Sequence, residues 1–307
     1  MTLEHRAFLY RGVDDFLAVT VPFLESGLER DEAVIAVARE PNLTALRDTL
    51  APRGASIQYF DSAGFYQHPV RTLRDYQTVV RQSAPRSVCA LAEPVWDGLD
   101  ERETQEWVRY ESLINVVFQD ASARSLCPYD TSSLPPGILA EARRTHPVVL
   151  TDGVGEPSEQ YLDPVTLGSQ CDRRTHPSRP GTAEYLTIDN DDLHTLRSFV
   201  GAHARRNGLA EQPAQNLVTA VNEVAANAIQ HGTPPIGLWA WRDGQTLTCE
   251  IGDNGCWFPG PSPLTGFIPP DSALQRGFGL WTVRLLVDLM ELSAGWDGTF
   301  VRLHMHV

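Results

Sequence analysis

The sequence predicts two domains of different class. The first is an α/β domain with a mostly parallel sheet covered by helices on both faces, and the second an α+β two-layer sandwich. Three observations carry this. Short apolar runs alternate with longer amphipathic segments over the first half of the chain. The second half opens on two helical patterns and then turns to hairpins. Between them, residues 153–184 are rich in Gly, Pro, Ser and charge, the composition of a connector. The 307 residues, 42% of them hydrophobic, suffice for two separate cores. The expected boundaries are residues 1–165 for the first domain, 166–184 for the linker and 185–307 for the second domain.

In the first domain, residues 33–38, 56–60, 88–92, 124–127 and 148–150 read as buried strands. Residues 14–29, 42–50, 70–83, 101–119 and 135–144 read as helices between them. Strands buried on both faces lose the period of two and become continuous apolar runs, as AVIAVA and VCALA are. Ligands of such sheets sit beyond the carboxyl ends of the strands. Arg39, Glu40, Asp61, Glu93, Trp96, Tyr129, Asp130 and Asp152 fall there, although a turn or a helix cap explains any one of them more simply. Neither GxGxxG nor GxxxxGK[ST] occurs.

In the second domain, residues 193–207 and 213–231 read as helices, the latter with Pro213 in its first turn. Residues 236–241 and 246–251 read as strands joined through Asp243-Gly244, a hairpin signal. Residues 254–276 read as a loop, 278–290 as a helix, and two closing strands start near Glu291 and Thr299.

A formal charge of -14 repels phosphate backbones, so direct DNA binding is not expected; control of transcription would act through a protein partner. The chain has no lysine, so any side-chain cation on a bound phosphate must be an arginine. Five scattered cysteines without a CxxC pair point to a reducing, cytoplasmic setting and away from disulfides or zinc; Cys171 near His176 is a weak exception. No signal peptide and no bilayer-length apolar run is visible, so no membrane partner is expected and any sensed signal is intracellular.

The chemistry concentrates in the second domain. At about 100° per residue, Leu217, Val221, Val224, Ala225 and Ala228 form an apolar arc. Asn216, Ala220, Glu223, Asn227 and His231 form a stripe along its edge, with Glu223 and Asn227 one turn apart. The strand at 246–251 runs out into Asp253-Asn254-Gly255, where an aspartate can accept a hydrogen bond from an adenine amino group. Arg276-Gly277-Phe278-Gly279-Leu280 opens a helix, and glycines at a helix N-terminus let backbone N–H groups approach phosphate oxygens. Gly298-Thr299 follows, with a hydroxyl for a base edge.

Each of these signals is weak alone, and in this order they are specific. NEVAANAIQHG resembles the N-box, IGDNG the first glycine box, RGFGLWTVRLLVD the second, and GTFVRLHM the closing strands of Bergerat (GHKL) ATPases. The resemblance is closest to anti-sigma-factor serine kinases and covers nearly all of residues 186–307. It implies a site for ATP and Mg²⁺. Asn227 would ligand Mg²⁺, and Glu223 would be the general base for a serine hydroxyl. Asp253 would bind adenine with Thr299 in support, and Gly277 and Gly279 would hold phosphates. His231, Gly255, Arg276 and Leu280 would complete the pocket. One departure is Trp257, which stands where the second glycine of D-x-G-x-G belongs. Another is a lid stiffened by Pro259, Pro261, Pro263, Pro269 and Pro270.

HRAFLYRG, VPFLESGLERDEAVIAVA, LAEPVWDGLDERE, YESLINVVF and LCPYD…THP resemble the MEDS sensory domain over about residues 4–150, with Tyr110-Glu111 where His-Glu is expected. The resemblance implies an unidentified small-molecule ligand, with His5, Glu93, Trp96, Glu111, Asn115, Tyr129 and Asp130 as candidate contacts. Together the resemblances imply a metabolite-gated anti-sigma factor. Its partners would be an alternative sigma factor and a STAS-type anti-anti-sigma protein, and such kinases commonly form homodimers. A binding switch that never consumes ATP is the alternative. A sensor histidine kinase is less favoured, because the linker runs almost straight into Tyr185 without a phosphoacceptor hairpin.

Overall fold

Apolar runs too long to alternate build the first sheet. The structure, a computed structural model, describes residues 3–51, 53–172, 178–188, 193–256, 264, 266–268 and 278–307. The chain divides into two units, Met1–Leu167 and Gly168–Val307.

The first unit runs β1 (Glu4–Tyr10), α1 (Gly12–Glu29), β2 (Ala33–Ala38), α2 (Asn42–Leu50), a 3-10 turn (Arg53–Ser56), β3 (Gln58–Asp61), α3 (Ser62–Phe65) and α4 (Pro69–Ser83). It continues with β4 (Val88–Ala92), α5 (Glu101–Val117), β5 (Ala123–Asp130), α6 (Pro136–Thr145), β6 (Val148–Thr151) and β7 (Val154–Pro157). Strand order is β3-β2-β4-β5-β1-β6-β7, parallel throughout except for the terminal β6–β7 pair. This is the mostly parallel α/β sheet that the sequence predicts. The expected strands and helices are all present, with ends moved by a few residues. The interior strand β1 was not expected. Parallel register sets Ala7 opposite Cys127 and His5 opposite Ser125, so His5, Cys127 and Tyr129 share one sheet face. Phe8, Tyr10 and Leu126 join Phe16, Leu24 and Leu46 in the core on the other face. An Asp100–Glu103 capping box starts α5, satisfying the free N–H groups of its first turn.

A helix α7 (Pro164–Asp172) crosses the division between the units, within a stretch whose composition reads as linker. The second unit then runs β8 (Glu184–Ile188), α8 (Leu193–Arg206), α9 (Glu211–His231), β9 (Ile236–Asp243), β10 (Thr246–Asp253), α10 (Phe278–Leu286), β11 (Leu289–Gly295) and β12 (Gly298–His306). Its sheet is antiparallel in the order β11-β12-β10-β9-β8. The hairpin turn at Asp243-Gly244 holds, with Gly244 at φ +57. The buried arc of α9 is Leu217, Ala220, Val221, Val224, Ala225 and Ala228, and it packs with Leu238, Leu247, Cys249, Ile251 and Leu303. This is the two-layer α+β sandwich. The expected helix over 278–290 stops at Leu286, because Leu289 onward pairs with β12 instead. Among the described residues, no helix is long and apolar enough to cross a membrane.

Candidate functional site

In the second unit, a cavity of about 520 Å³ lies between α9, α10 and the sheet. Asn227, His231, Asp253, Gly255, Gly279, Leu280 and Thr299 line it. Its floor is apolar, from Val224, Ala228, Ile251, Leu292 and Val301, so a flat ring can be buried while the few polar groups set its orientation.

Asp253 ends β10 and is only 6% exposed. Its Oδ1 accepts from the backbone N–H of Gly255 at 2.6 Å and of Thr233 at 3.1 Å. Oδ2 carries no hydrogen bond among the described residues, so it remains for a ligand donor. The end of α9 is fitted around this carboxylate: a Cβ on Gly232 would stand 2.6 Å from Asp253 Cγ, and one on Gly255 2.5 Å from Oδ1. Cross-strand register places Thr299 opposite Asp253, and the Thr299 hydroxyl donates to the Gly255 carbonyl at 3.1 Å. Gly298, just before it, has φ +124, and its missing Cβ leaves room for the Asp253 carbonyl.

Asn227 reaches the cavity from α9. Glu223 sits one turn earlier, outside the described lining, but a Cβ on Gly279 would be 3.5 Å from Glu223 Oε2 and 3.4 Å from Asn227 Nδ2. The carboxylate, the carboxamide and the start of α10 therefore meet. Arg276, Gly277, Trp257 and the prolines at 259, 261, 263, 269 and 270 lie outside the described residues, as does His176.

In the first unit the sequence-derived candidates divide into two groups. Glu93 follows β4, buried at 3% exposure, and gathers donors from three segments. The Tyr10 hydroxyl donates to its Oε1 at 2.8 Å, Asn42 Nδ2 at 3.0 Å, and the Arg39 backbone N–H to Oε2 at 2.9 Å. Burial nonetheless wins and raises its pKa above the ordinary carboxylate value. Asp130 acts locally, accepting from the Ser132 backbone and from the Ser132 and Ser133 hydroxyls, which hold its carboxyl below the usual range against some burial.

His5, Glu111 and Asn115 form the other group, together with Cys127 and His146. One ligand atom from each of His5, Glu111, Cys127 and His146 falls within 4.8 Å of all the others, and all four residues are buried. Burial pushes Glu111 up to about 8 and His5 down to about 4, and it raises the Cys127 thiol. The His5 and His146 rings lie 4.0 Å apart, and Tyr129 stands edge-on to His146. The Tyr129 hydroxyl, the Trp96 indole N–H and His146 Nε2 are buried without a hydrogen-bond partner.

Residues 4–147 match the family model described as the MEthanogen/methylotroph, DcmR Sensory (MEDS) domain, and residues 186–305 match that of the histidine kinase-like ATPase domain. The chain joins a MEDS domain to a histidine kinase-like ATPase domain. Among curated proteins, none matches. Three similar solved structures share 18–19% identity with it. The RsbU and RsbW domains of Rv1364c from Mycobacterium tuberculosis show 19% identity, 41% coverage of this chain and 33% of that one, and a TM-score of 0.31. The mycobacterial sensor histidine kinase MprB shows 18%, 41%, 97% and 0.28 in the same order. The histidine kinase domain of the E. coli osmosensor EnvZ shows 18%, 43%, 92% and 0.26. The chain spans about a third of the length of the first of these.

Several residues of the two domains escaped sequence reasoning. In the ATPase domain these are Gly232 and Thr233, although a glycine just after a helical polar stripe was a readable sign of close backbone approach. In the MEDS domain they are Tyr10, Asn42, Cys127 and His146, which no local spacing connects.

Proposed function

We propose that the protein is a cytoplasmic anti-sigma factor whose ATPase domain binds ATP with Mg²⁺ and whose MEDS domain gates its hold on an alternative sigma factor. One observation carries this reading: Asn227, His231, Asp253, Gly255, Gly279, Leu280 and Thr299, drawn from two helices, two strands and the turn after β10, line a single cavity. Its size, about 520 Å³, and its apolar floor suit a purine. The Asp253 carboxylate accepts from the adenine amino group, and the Thr299 hydroxyl supports that edge. The start of α10 at Gly279 faces the phosphates, where an added side chain would crowd Asn227 and Glu223. Asn227 offers its carboxamide oxygen to Mg²⁺, which when bound neutralises phosphate charge.

Glu223 would accept the proton of a serine hydroxyl presented by a STAS-type anti-anti-sigma protein as that oxygen bonds to the γ-phosphorus of ATP, whose bond to the β-phosphate oxygen breaks to release ADP. Phosphorylation of that antagonist would leave the sigma factor held. A ligand of the MEDS domain changes the outcome only by binding one state of the protein more tightly than the other.

A second reading, a partner switch that binds ATP without consuming it, draws on Glu223 lying outside the described cavity lining. Incubation with γ-labelled ATP, Mg²⁺ and the antagonist separates the two. The kinase reading expects serine-bound label with the wild type and none with Glu223→Ala at retained ATP affinity. An unlabelled antagonist, with ATP bound, leaves the switch. Loss of ATP binding in Glu223→Ala would make that residue structural.

A further inference from the structure

The MEDS domain contains a cluster whose protonation pattern is set by its surroundings. Asn115 Nδ2 donates to the carbonyls of Thr145, at 2.8 Å, and Ser112, at 3.2 Å. Its amide is thereby oriented, and Oδ1 accepts from His5 Nδ1 at 3.0 Å. His146 Nδ1 lies 2.9 Å from the Ala142 carbonyl, which can only accept. Both imidazoles therefore carry their proton on Nδ1 and turn a bare Nε2 lone pair toward the same point.

What they face is the buried Glu111 carboxyl. Glu111 Oε2 is 3.5 Å from His146 Nε2 and 3.8 Å from His5 Nε2, too far for hydrogen bonds. No hydrogen bond reaches Glu111 among the described residues, and His146 Nε2 has no partner. Cys127 Sγ completes the group, 3.4 Å from His5 Nε2. Two imidazole lone pairs, a carboxyl and a thiol thus meet with one weak hydrogen bond among them, from the Cys127 thiol to His5 Nε2, and they converge on one point as the donors of a cation site do.

We propose that His5, Glu111, Cys127 and His146 bind one divalent transition-metal ion, with Zn(II) as the fitting class. Tetrahedral bonds of about 2.0–2.3 Å set neighbouring donor atoms about 3.3–3.7 Å apart. Three of the six separations, 3.4, 3.5 and 3.8 Å, lie in or beside this range and the others fall within 4.8 Å, so small side-chain movements would close the set around an ion. Two imidazoles, a thiolate and a carboxylate form a borderline-soft set that favours Zn(II) over Mg²⁺ or Ca²⁺. The hydrogen bonds from both Nδ1 atoms are the outer contacts that orient metal-bound histidines. Burial that holds Glu111 and Cys127 protonated is reversed by the ion, which releases those protons on binding. A cavity of about 40 Å³ beside the cluster, bordered by Tyr66, Tyr76 and Tyr110, gives room for an additional small ligand on the ion. The inference is independent of the nucleotide reading, and it reverses the expectation, drawn from cysteine spacing, that no zinc site exists.

The test uses the purified full chain, stripped with a chelator and titrated with Zn(II) against a chromophoric competitor. One equivalent should bind, and Cys127→Ser and His146→Gln should each weaken it by at least tenfold. Asn115→Leu, which removes the outer hydrogen bond of His5 together with those to the Thr145 and Ser112 carbonyls but no metal donor, should weaken it by about 10- to 100-fold. An unchanged circular dichroism spectrum and a cooperative thermal unfolding transition would show that the variants still fold. X-ray absorption at the zinc edge needs no variant and should show one sulfur and three nitrogen or oxygen neighbours. Absence of stoichiometric binding, a sulfur-free shell, or undiminished affinity in folded Cys127→Ser and His146→Gln would overturn the proposal.

Discussion

Replacing Asp253 with asparagine separates its two tasks. Oδ1 anchors the Gly255 and Thr233 backbone N–H groups at 2.6 and 3.1 Å, while Oδ2 is left for the ligand. Asparagine keeps an oxygen for the two N–H groups and puts an amino group in place of Oδ2. Folding should then suffer only the change from a charged to a neutral acceptor, about 1 kcal/mol, or a melting shift of a few degrees. Base recognition should suffer more. A hydrogen bond to a charged acceptor contributes about 1.5–3 kcal/mol, and its loss weakens ATP by about ten- to a hundredfold. The new donor also faces the adenine amino group, whereas it matches the carbonyl of guanine. The ratio of ATP to GTP affinity should therefore fall. Alanine is the poorer probe, since it strands the buried Gly255 N–H at about 1–3 kcal/mol, frees the part-buried Thr233 N–H as well, and confuses binding with folding. Isothermal titration of both nucleotides, beside thermal melts, reads all of this. Wild-type ATP affinity and selectivity in a folded Asp253→Asn protein would show that the base is read elsewhere.

Two further outcomes test other parts of the fold. Glu250, fully buried in β10, accepts from Arg302 across the strand pair and from Arg179, so Glu250→Ala should cost about 3–5 kcal/mol and lower the melting temperature by about ten degrees; a shift of a degree or two would refute the weight given to this network. For Glu93, a pKa raised in the folded state means the native protein holds its proton more tightly, so its contribution to stability is full below about pH 4.3 and is lost as pH rises through the folded value; denaturant melts across a pH series should show this slope in the wild type but not in Glu93→Gln, and parallel curves would refute it.

The elements that could be read in the sequence were those whose burial is uniform. β2 and β4 are continuous apolar runs, and α9 keeps a clean helical arc beside a polar stripe. β1 escaped because Glu4 and Arg6 break its apolar run, pairing with each other at its exposed start, although the strand lies inside the sheet between β5 and β6. β8 escaped as a half-polar edge strand with an exposed Tyr185. The stretch after Leu286 stays apolar, so periodicity alone carried the helix too far; cross-strand pairing with β12 decides it. The nucleotide cavity was legible because its residues come in short motifs, each at the end of an element. The MEDS cluster was not, since its four residues lie at 5, 111, 127 and 146 and meet only when β1 enters beside β5.

The two ends of the nucleotide cavity differ in what holds them. At the end proposed to read the base, Asp253 is tied to Gly255 and Thr233, Thr299 to Gly255, and Gly232 and Gly298 permit backbones to close around them. Those groups are positioned by strand register and helix end before any ligand arrives, which lowers the ordering cost of binding. Glu223 is positioned too, against the start of α10 and beside the described lining, and its substrate on the proposed reading is a hydroxyl on another protein. On the proposed reading, nucleotide affinity is a property of this chain alone, while transfer would wait on a partner that presents its serine to Glu223. A sensor domain that acts on such a molecule gains most by controlling partner access, since a change in nucleotide affinity would have to disturb a site that the sheet itself holds in place.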